Sequence, residues 1–259
     1  MALLLKRRRA TALSRLRGAF GDAALAQVNI GSIGVTSGSG TASAWADARG
    51  AGFGSAWTFT GTAQPQYVQN AQGIWVLRSD GVNDTSNHNA GLASALQNVG
   101  AGFVFVVAAT NTRATNGTLV QFSNATSATG TRLLALRDNS AGTIGGFATR
   151  LDTDTSIHVN GGTSDAVLRD DLVVADWTGN KLHVYQAGVE VAGSPATPFS
   201  SGAGSTSNTA SQSVRLFSVG GTTQFAAVDI AAVVVGLVVP NAAQLAALHT
   251  FAIAMGAAA

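Results

Sequence analysis

From about residue 28 onward the chain reads as strand, turn, strand. Clusters of Gly, Ser and Thr at 31–43, 110–117, 123–131 and 200–213 separate short runs rich in β-branched and aromatic residues. Clusters of this kind reverse the chain between strands, because Gly tolerates positive φ and Ser and Thr hydrogen-bond their own backbone. Phe103-Val104-Phe105-Val106-Val107 is apolar at every position, as expected of a strand buried on both faces. Residues 132–137 form another largely apolar run between polar loops, and 214–219 and 225–239 supply late strands. Residues 181–186 and 189–192 flank Ala187-Gly188, which predicts a tight hairpin with Leu182, Val184, Val189 and Val191 on its buried side or sides. One helix closes the chain. Pro240 ends the preceding strand, Asn241 is a good N-cap, Gln244 sits at the capping-box position, and Gly256 is the stop. Leu245, Leu248, Ala252 and Met255 make its apolar face. Strands resume after each polar stretch and no fixed-period repeat occurs, so residues 28–259 are predicted to form one all-β domain.

The residue inventory excludes several chemistries. With no Cys there is no disulfide scaffold, thiolate zinc site or cysteine nucleophile. The acids are twelve Asp and a single glutamate, Glu190, and there are only two Lys. That rules out a Glu/Lys-rich bundle or coiled coil, and any enzyme built on two glutamates. No G-x-S-x-G elbow, P-loop or dinucleotide fingerprint is present. His88, His158, His183 and His249 lack paired metal-ligand spacing. The longest apolar run, 230–239, has ten residues where roughly 20 are needed to span a bilayer.

The net charge of +2 conceals an asymmetry. Lys6, Arg7, Arg8, Arg9, Arg15 and Arg17 precede the first acid, Asp22, while the remainder carries a net −4. The basic pI therefore belongs to an N-terminal arm and does not describe a nucleic-acid-binding domain. Ala24-Leu25-Ala26 resembles a signal-peptidase site, but no apolar region lies between Arg17 and Ala24, so the arm is not expected to direct secretion. Leu13, Leu16 and Phe20 lie on one helical face, with Gly18 and Gly21 as stops, which predicts a short basic helix. Residues 1–27 are accordingly expected to be an anchoring arm distinct from the domain at 28–259. Such a segment cannot offset its own ordering entropy. Its six cations and apolar side are expected to dock on a neighbouring subunit or an acidic surface, and its removal to leave the domain folded.

Four segments, taken in order, resemble the laminin-G-like, or concanavalin A-like, jelly roll of phage virion and bacterial surface proteins. Trp45-Ala46-Asp47-Ala48-Arg49-Gly50 resembles the family's opening W-x-D-x-S/R-G, with Arg49 where Ser is common. Arg78-Ser79-Asp80-Gly81-Val82-Asn83-Asp84 resembles its F-D-G-x-N-D strand end. Residues 172–191, through Trp177-Thr178-Gly179-Asn180 and Tyr185-Gln186-Ala187-Gly188, resemble its W-x-G…L-Y-x-x-G hairpin, and 225–255 its closing strand and helix. The resemblance implies a jelly-roll sandwich with a C-terminal helix, preceded here by the basic helix.

Glycoside hydrolysis on such a fold needs two carboxylates flanking the bond. Only Asp152/Asp154 and Asp170/Asp171 offer a pair, and these read as solvated turn residues. A lyase would use an Arg, a His and a Tyr on successive strands. Arg132/Arg137, His158 and Tyr185 follow that order without the neighbouring Glu and Gln that such motifs carry. No cofactor is required. Asp152 and Asp154, and secondarily Asp80 and Asp84, carry the hard oxygens that calcium would use, although Asp80-Gly81 also reads as a plain turn and Asp84 as a loop cap. Trp45, Trp57, Trp75, Trp177 and Tyr67 are expected to be mostly core. Sugar contacts are expected in polar loops, with Asn87, His88 and Asn89 and the 200–213 stretch as candidates. These readings lead to a non-enzymatic virion protein of a tailed phage or phage-like particle, a decoration, fibre or adsorption-type subunit. It would bind other virion proteins through the arm, form a homo-oligomer and contact a cell-surface glycan, without sequence-specific nucleic-acid binding or a membrane span. The alternative is a secreted or cell-surface lectin or polysaccharide-degrading enzyme.

Overall fold

The computed structural model describes residues 2–50, 53–112, 117–123, 132–138, 142–151, 154–197, 199–206, 213–218, 221 and 224–258. The chain opens with helix α1 (Ala2–Phe20), then β1 (Leu25–Ile30), β2 (Val35–Gly38), β3 (Thr41–Trp45), β4 (Trp57–Thr58), β5 (Gln66–Gln69) and β6 (Trp75–Arg78). A short helix α2 (Ala90–Ala95) leads to β7 (Ala101–Thr112), β8 (Gly117–Ser123), β9 (Arg132–Asp138), β10 (Ile144–Ala148) and β11 (Ile157–Asn160). The last part holds β12 (Arg169–Asp176), β13 (Lys181–Gln186), β14 (Val189–Glu190), β15 (Ser213–Leu216), β16 (Ala227–Gly236) and helix α3 (Ala242–Ala254).

The strands form two antiparallel sheets. The larger runs β14-β13-β12-β7-β16-β6-β5-β3-β2, with β1 also on β16 and β4 also on β3, and the smaller runs β11-β10-β9-β8-β15. The apolar run in β7 divides as a strand must. Val104 and Val106 face the small sheet, while Phe103, Phe105 and Val107 face the opposite side, under the helices. Its absence of alternation thus has a cause: both faces are covered. One core lies between the sheets and holds Trp45, Trp57, Phe59, Phe122, Leu134 and Trp177. The other lies between the large sheet and the helices and holds Leu16, Phe20, Phe103, Phe105, Phe251 and Met255.

Strand β16 changes partner along its length. Asp229 and Ile230 pair with β6, whereas Ala232–Gly236 pair with β1, and the register slips between Ile230 and Ala232. The Ala231 carbonyl at this fork accepts the Gly31 N–H at 2.7 Å. A Cβ at Gly31 would overlap the carbonyl oxygen of Trp75, so only glycine lets β1, β6 and β16 meet there.

The family-like segments serve the scaffold. In the first, Arg49 clasps Asp47 through two hydrogen bonds (3.0 and 2.8 Å), with both side chains 1% exposed. Arg49 also donates to the Leu25 carbonyl at 2.7 Å, and Asp47 accepts the Val28 N–H at 3.2 Å. The arginine that replaces the usual serine therefore locks this loop to β1. In the hairpin, Ala187 and Gly188 have φ of 50° and 72°, matching a two-residue turn with both centres left-handed. Leu182 and Val184 are buried as predicted, but Val189 is 69% exposed, because β14 is the sheet's edge strand. Helix α3 has the predicted capping box between Asn241 and Gln244, and Leu248, Phe251, Ala252 and Met255 form its buried side. Helix α2 was not foreseen.

The N-terminal segment departs most from expectation. It is helical through Gly18 and stops at Gly21, whose φ is 72°. Ala12, Leu16 and Phe20 are buried in the outer core, with the Phe20 and Phe103 rings 5.4 Å apart. The apolar side expected to dock on an external partner is taken by the domain's own sheet and α3, and the 27/28 boundary falls inside β1. Among the described residues no helix is long and apolar enough to cross a membrane.

Candidate functional site

Cross-strand register assembles a polar row on the helix-bearing face of the large sheet, at the end of β16 away from β1. Thr41 lies opposite Gln66, Gln66 opposite Arg78, and Arg78 opposite Asp229. Loops carrying Thr62, Gln64, Ser79, Asp80 and Asp84, with Asn111 and Ala227, complete a cleft of about 520 Å³.

A buried carboxylate organises the row. Asp229, 3% exposed, accepts both Arg78 Nε and Nη2 at 2.7 Å and Asn111 Nδ2 at 2.6 Å. This bidentate bond raises the Arg78 pKa and fixes the plane of the guanidinium. The Arg78 Nη1 group makes no hydrogen bond to a described residue and borders the cleft. Thr41 Oγ1 lies 3.0 Å from Gln64 Oε1, and Gln64 Nε2 donates to the Phe59 carbonyl at 3.2 Å. Ser79 anchors the loop by donating its hydroxyl to the Ala226 carbonyl and its N–H to that of Val228 at 2.9 Å.

The Asp80–Asp84 loop has the turn chemistry expected of it. Asp80 Oδ1 accepts the N–H groups of Val82 (2.8 Å) and Asn83 (3.3 Å), and Asp84 Oδ2 accepts that of Asp80 (2.8 Å). Asp84 is only 6% exposed. Burial pushes its carboxyl up to about 6; the Asp80 N–H bond opposes this and the Asp80 charge adds to it.

The loop candidates for sugar contact do not line this cleft. Asn87 Nδ2 donates to Thr58 Oγ1 at 3.0 Å. Asn89 caps α2, accepting the Leu92 N–H at 3.1 Å and donating to the Ser55 carbonyl at 3.1 Å. His88 is exposed, but its Nδ1 accepts the Val214 N–H at 3.1 Å, and burial together with Arg215 lowers its pKa. Asn87 thus ties the loop before α2 to β4, and His88 and Asn89 tie it to β15. Within the 200–213 stretch, residues 207–212 lie outside the described residues, and Ser200 and Ser201 bond Asp154 away from this cleft.

Asp152 also lies outside the described residues. Asp154 is buried, and four protein donors surround it: Arg150 N (2.8 Å), Leu151 N (3.0 Å), Ser200 Oγ (3.0 Å) and Ser201 Oγ (2.7 Å). Burial opposes its ionisation, yet these bonds outweigh burial and lower its pKa. Donors on both oxygens do not fit a calcium ligand, and among the described residues no three His, Cys, Asp or Glu are grouped to hold a metal. Asp170 and Asp171, adjacent on β12, point to opposite faces, one to His249 of α3 (3.1 Å) and the other to Gln186 of β13 (2.7 Å). His158 stacks on Phe147 in the small sheet and Tyr185 on His183 in the large one, so these two members of the lyase set are not brought together, and the side chains of Arg132 and Arg137 lie outside the described residues. Trp45, Trp57 and Trp177 are fully buried, while Trp75 and Tyr67 are half-buried and stacked at 4.5 Å.

The cations of the arm are dispersed. Arg7, Arg8 and Arg15 are exposed and edge a groove of about 400 Å³ with Thr250, Ile253 and Ala254 of α3. Arg9 is buried, which lowers its pKa, and Arg17 is tied to Asp22 at 2.6 Å. Nothing is described for the Lys6 side chain.

No protein-family model and no curated protein matches the chain. Solved structures do. A mutant of Trypanosoma rangeli sialidase displaying trans-sialidase activity aligns with TM-score 0.60 at 13% identity, over 98% of this chain and 39% of its own. The binding domain of Paraclostridial Mosquitocidal Protein 1 aligns with TM-score 0.59 at 10% identity, over 88% of this chain and 52% of its own. NanB sialidase from Streptococcus pneumoniae, as its K499G mutant, aligns with TM-score 0.52 at 14% identity, over 64% and 26%. The fold is a concanavalin A-like jelly-roll sandwich. The chain spans about two fifths of the sialidase and half of the mosquitocidal structure. At these identities the likeness shows the fold alone.

Proposed function

We propose that this chain is a non-catalytic carbohydrate-binding jelly roll that takes sugar in the Thr41–Gln66–Arg78 cleft. The observation that carries the reading is the row itself. Neutral hydrogen-bonding side chains, one clamped arginine and the carboxylates of the Asp80–Asp84 turn line an open cleft on a rigid sheet, an arrangement that recognises hydroxyl groups without doing covalent chemistry. Its setting in this proposal is a decoration, fibre or adsorption-type subunit of a tailed-phage or phage-like particle. The sequence resemblance supports that setting, and the exposed Arg7, Arg8 and Arg15 edge offers an attachment face. A secreted or cell-surface lectin would use the same cleft, and cryo-EM of purified particles separates the two settings.

One observation favours a hydrolase as the second reading: Asp84, with its pKa near 6, lies beside Asp80, as an acid and its ionised partner would. Both carboxylates, however, are bound within a single turn rather than placed across a scissile bond. The test is a glycan panel read by calorimetry and by reducing-sugar release. Binding without release, abolished by Gln66→Trp at unchanged melting temperature, is the expected result. Release abolished by Asp84→Asn supports the hydrolase, and silence across the panel refutes the carbohydrate reading.

A further inference from the structure

Resting on that reading, we infer that the cleft selects sugars bearing a free amino group and excludes carboxylated sugars. The charge balance of its walls carries the inference. Four ionisable groups border or back the cleft among the described residues: Arg78, Asp80, Asp84 and Asp229. Arg78 is the only cation, and Asp229 already engages it bidentately from below, so the pair presents little net charge to a ligand. Among the described residues Asp80 and Asp84 have no cation partner; both are held there by backbone N–H groups alone. The described residues therefore give the cleft a net negative charge.

Asp84 adds an independent pointer. It is more than nine-tenths buried and lines the cleft. Only its Oδ2 is hydrogen-bonded by a described residue, which leaves Oδ1 to a ligand. A ligand donor can bond that oxygen, and an ammonium is the strongest donor a sugar can offer. Burial and the Asp80 charge, which hold the Asp84 carboxyl near pH 6, are relieved by the same ammonium. A sugar carboxylate would face two like charges, offset only by the Nη1 edge of an Arg78 whose charge Asp229 already balances. Gln64, Gln66, Thr41 and Asn111 suit the remaining hydroxyls, being able to donate or accept.

The test uses the intact chain and four probes in calorimetry at pH 7: a chitosan tetramer, its N-acetylated counterpart, lactose and 3′-sialyllactose. The amino tetramer is expected to bind at least tenfold tighter than the N-acetylated one, and sialyllactose more weakly than lactose. Asp80→Asn and Asp84→Asn should each shrink the preference for the amine while keeping the affinity for uncharged sugar, and Gln66→Trp should remove both. Asp80 is on an exposed turn, so its variant tests the idea even if Asp84→Asn does not fold. Equal binding of both tetramers, or sialyllactose binding as tightly as lactose, overturns the inference and leaves the carbohydrate reading standing. Failure of all four probes overturns that reading itself.

Discussion

Helix α1 can be removed or thinned to ask whether it belongs to the domain. Leu16 is 0% exposed and Phe20 8%, and both lie against the helix-bearing face of the large sheet with Phe103. Truncating a fully buried leucine costs about 2–5 kcal/mol, and a phenylalanine about 3–5. Deleting residues 1–20 would remove both and also bare the apolar surface beneath them, including Phe103. The combined loss is of the same order as the roughly 5–15 kcal/mol that holds a typical domain together. Leu16→Ala should therefore lower the melting temperature by roughly 4–20 °C, at about 2–4 °C per kcal/mol for a chain of this size. The 1–20 deletion should unfold or aggregate. Replacing the exposed Arg7, Arg8 and Arg15 together with Ala should change stability by no more than about 0.5 kcal/mol per site. Urea unfolding followed by tryptophan fluorescence and circular dichroism measures all three. A truncated protein with the full-length transition would refute the argument and restore α1 as a separable arm.

Trp177 is fully buried and donates Nε1 to the Thr149 carbonyl at 2.8 Å, so Trp177→Ala should cost about 3–5 kcal/mol in urea unfolding. Gly31→Ala should cost roughly 1–3 kcal/mol or more, because the new methyl overlaps the Trp75 carbonyl, whereas Gly38→Ala, which meets nothing within 4 Å, should cost less than 1 kcal/mol in the same assay. The Asp84 carboxyl is raised from 3.8 to about 6 on folding, so between these values the folded state holds a proton that the unfolded state has lost. Stability should then fall as pH rises through that window, by about 3 kcal/mol in all at 1.4 kcal/mol per unit, and stay lower above it. Asp84→Asn should flatten this dependence and stabilise the protein at pH 7, as read from denaturation midpoints between pH 3.5 and 8.

What the sequence determined by itself is local. The hairpin at Ala187-Gly188, the capping box of Asn241 and Gln244, the Asp80 turn and the doubly apolar β7 each follow from residues within a few positions of one another. Their dihedrals and hydrogen bonds are set by near neighbours, and near neighbours are what a sequence displays. The tertiary structure alone decided which faces meet. Leu13, Leu16 and Phe20 mark an apolar stripe, but nothing in the stripe says whether a sister subunit or the chain's own sheet will cover it. Val189 alternates like a buried residue and is exposed because its strand ends a sheet. The cleft is the extreme case: Arg78 meets Asp229 across 151 residues, and Thr41, Gln66 and Asn111 join them only through register. Each is an ordinary polar residue near a strand end. The cleft exists because strand pairing over long sequence separations sets these side chains on one face, and pairing of that kind follows from burying two cores at once rather than from any local preference.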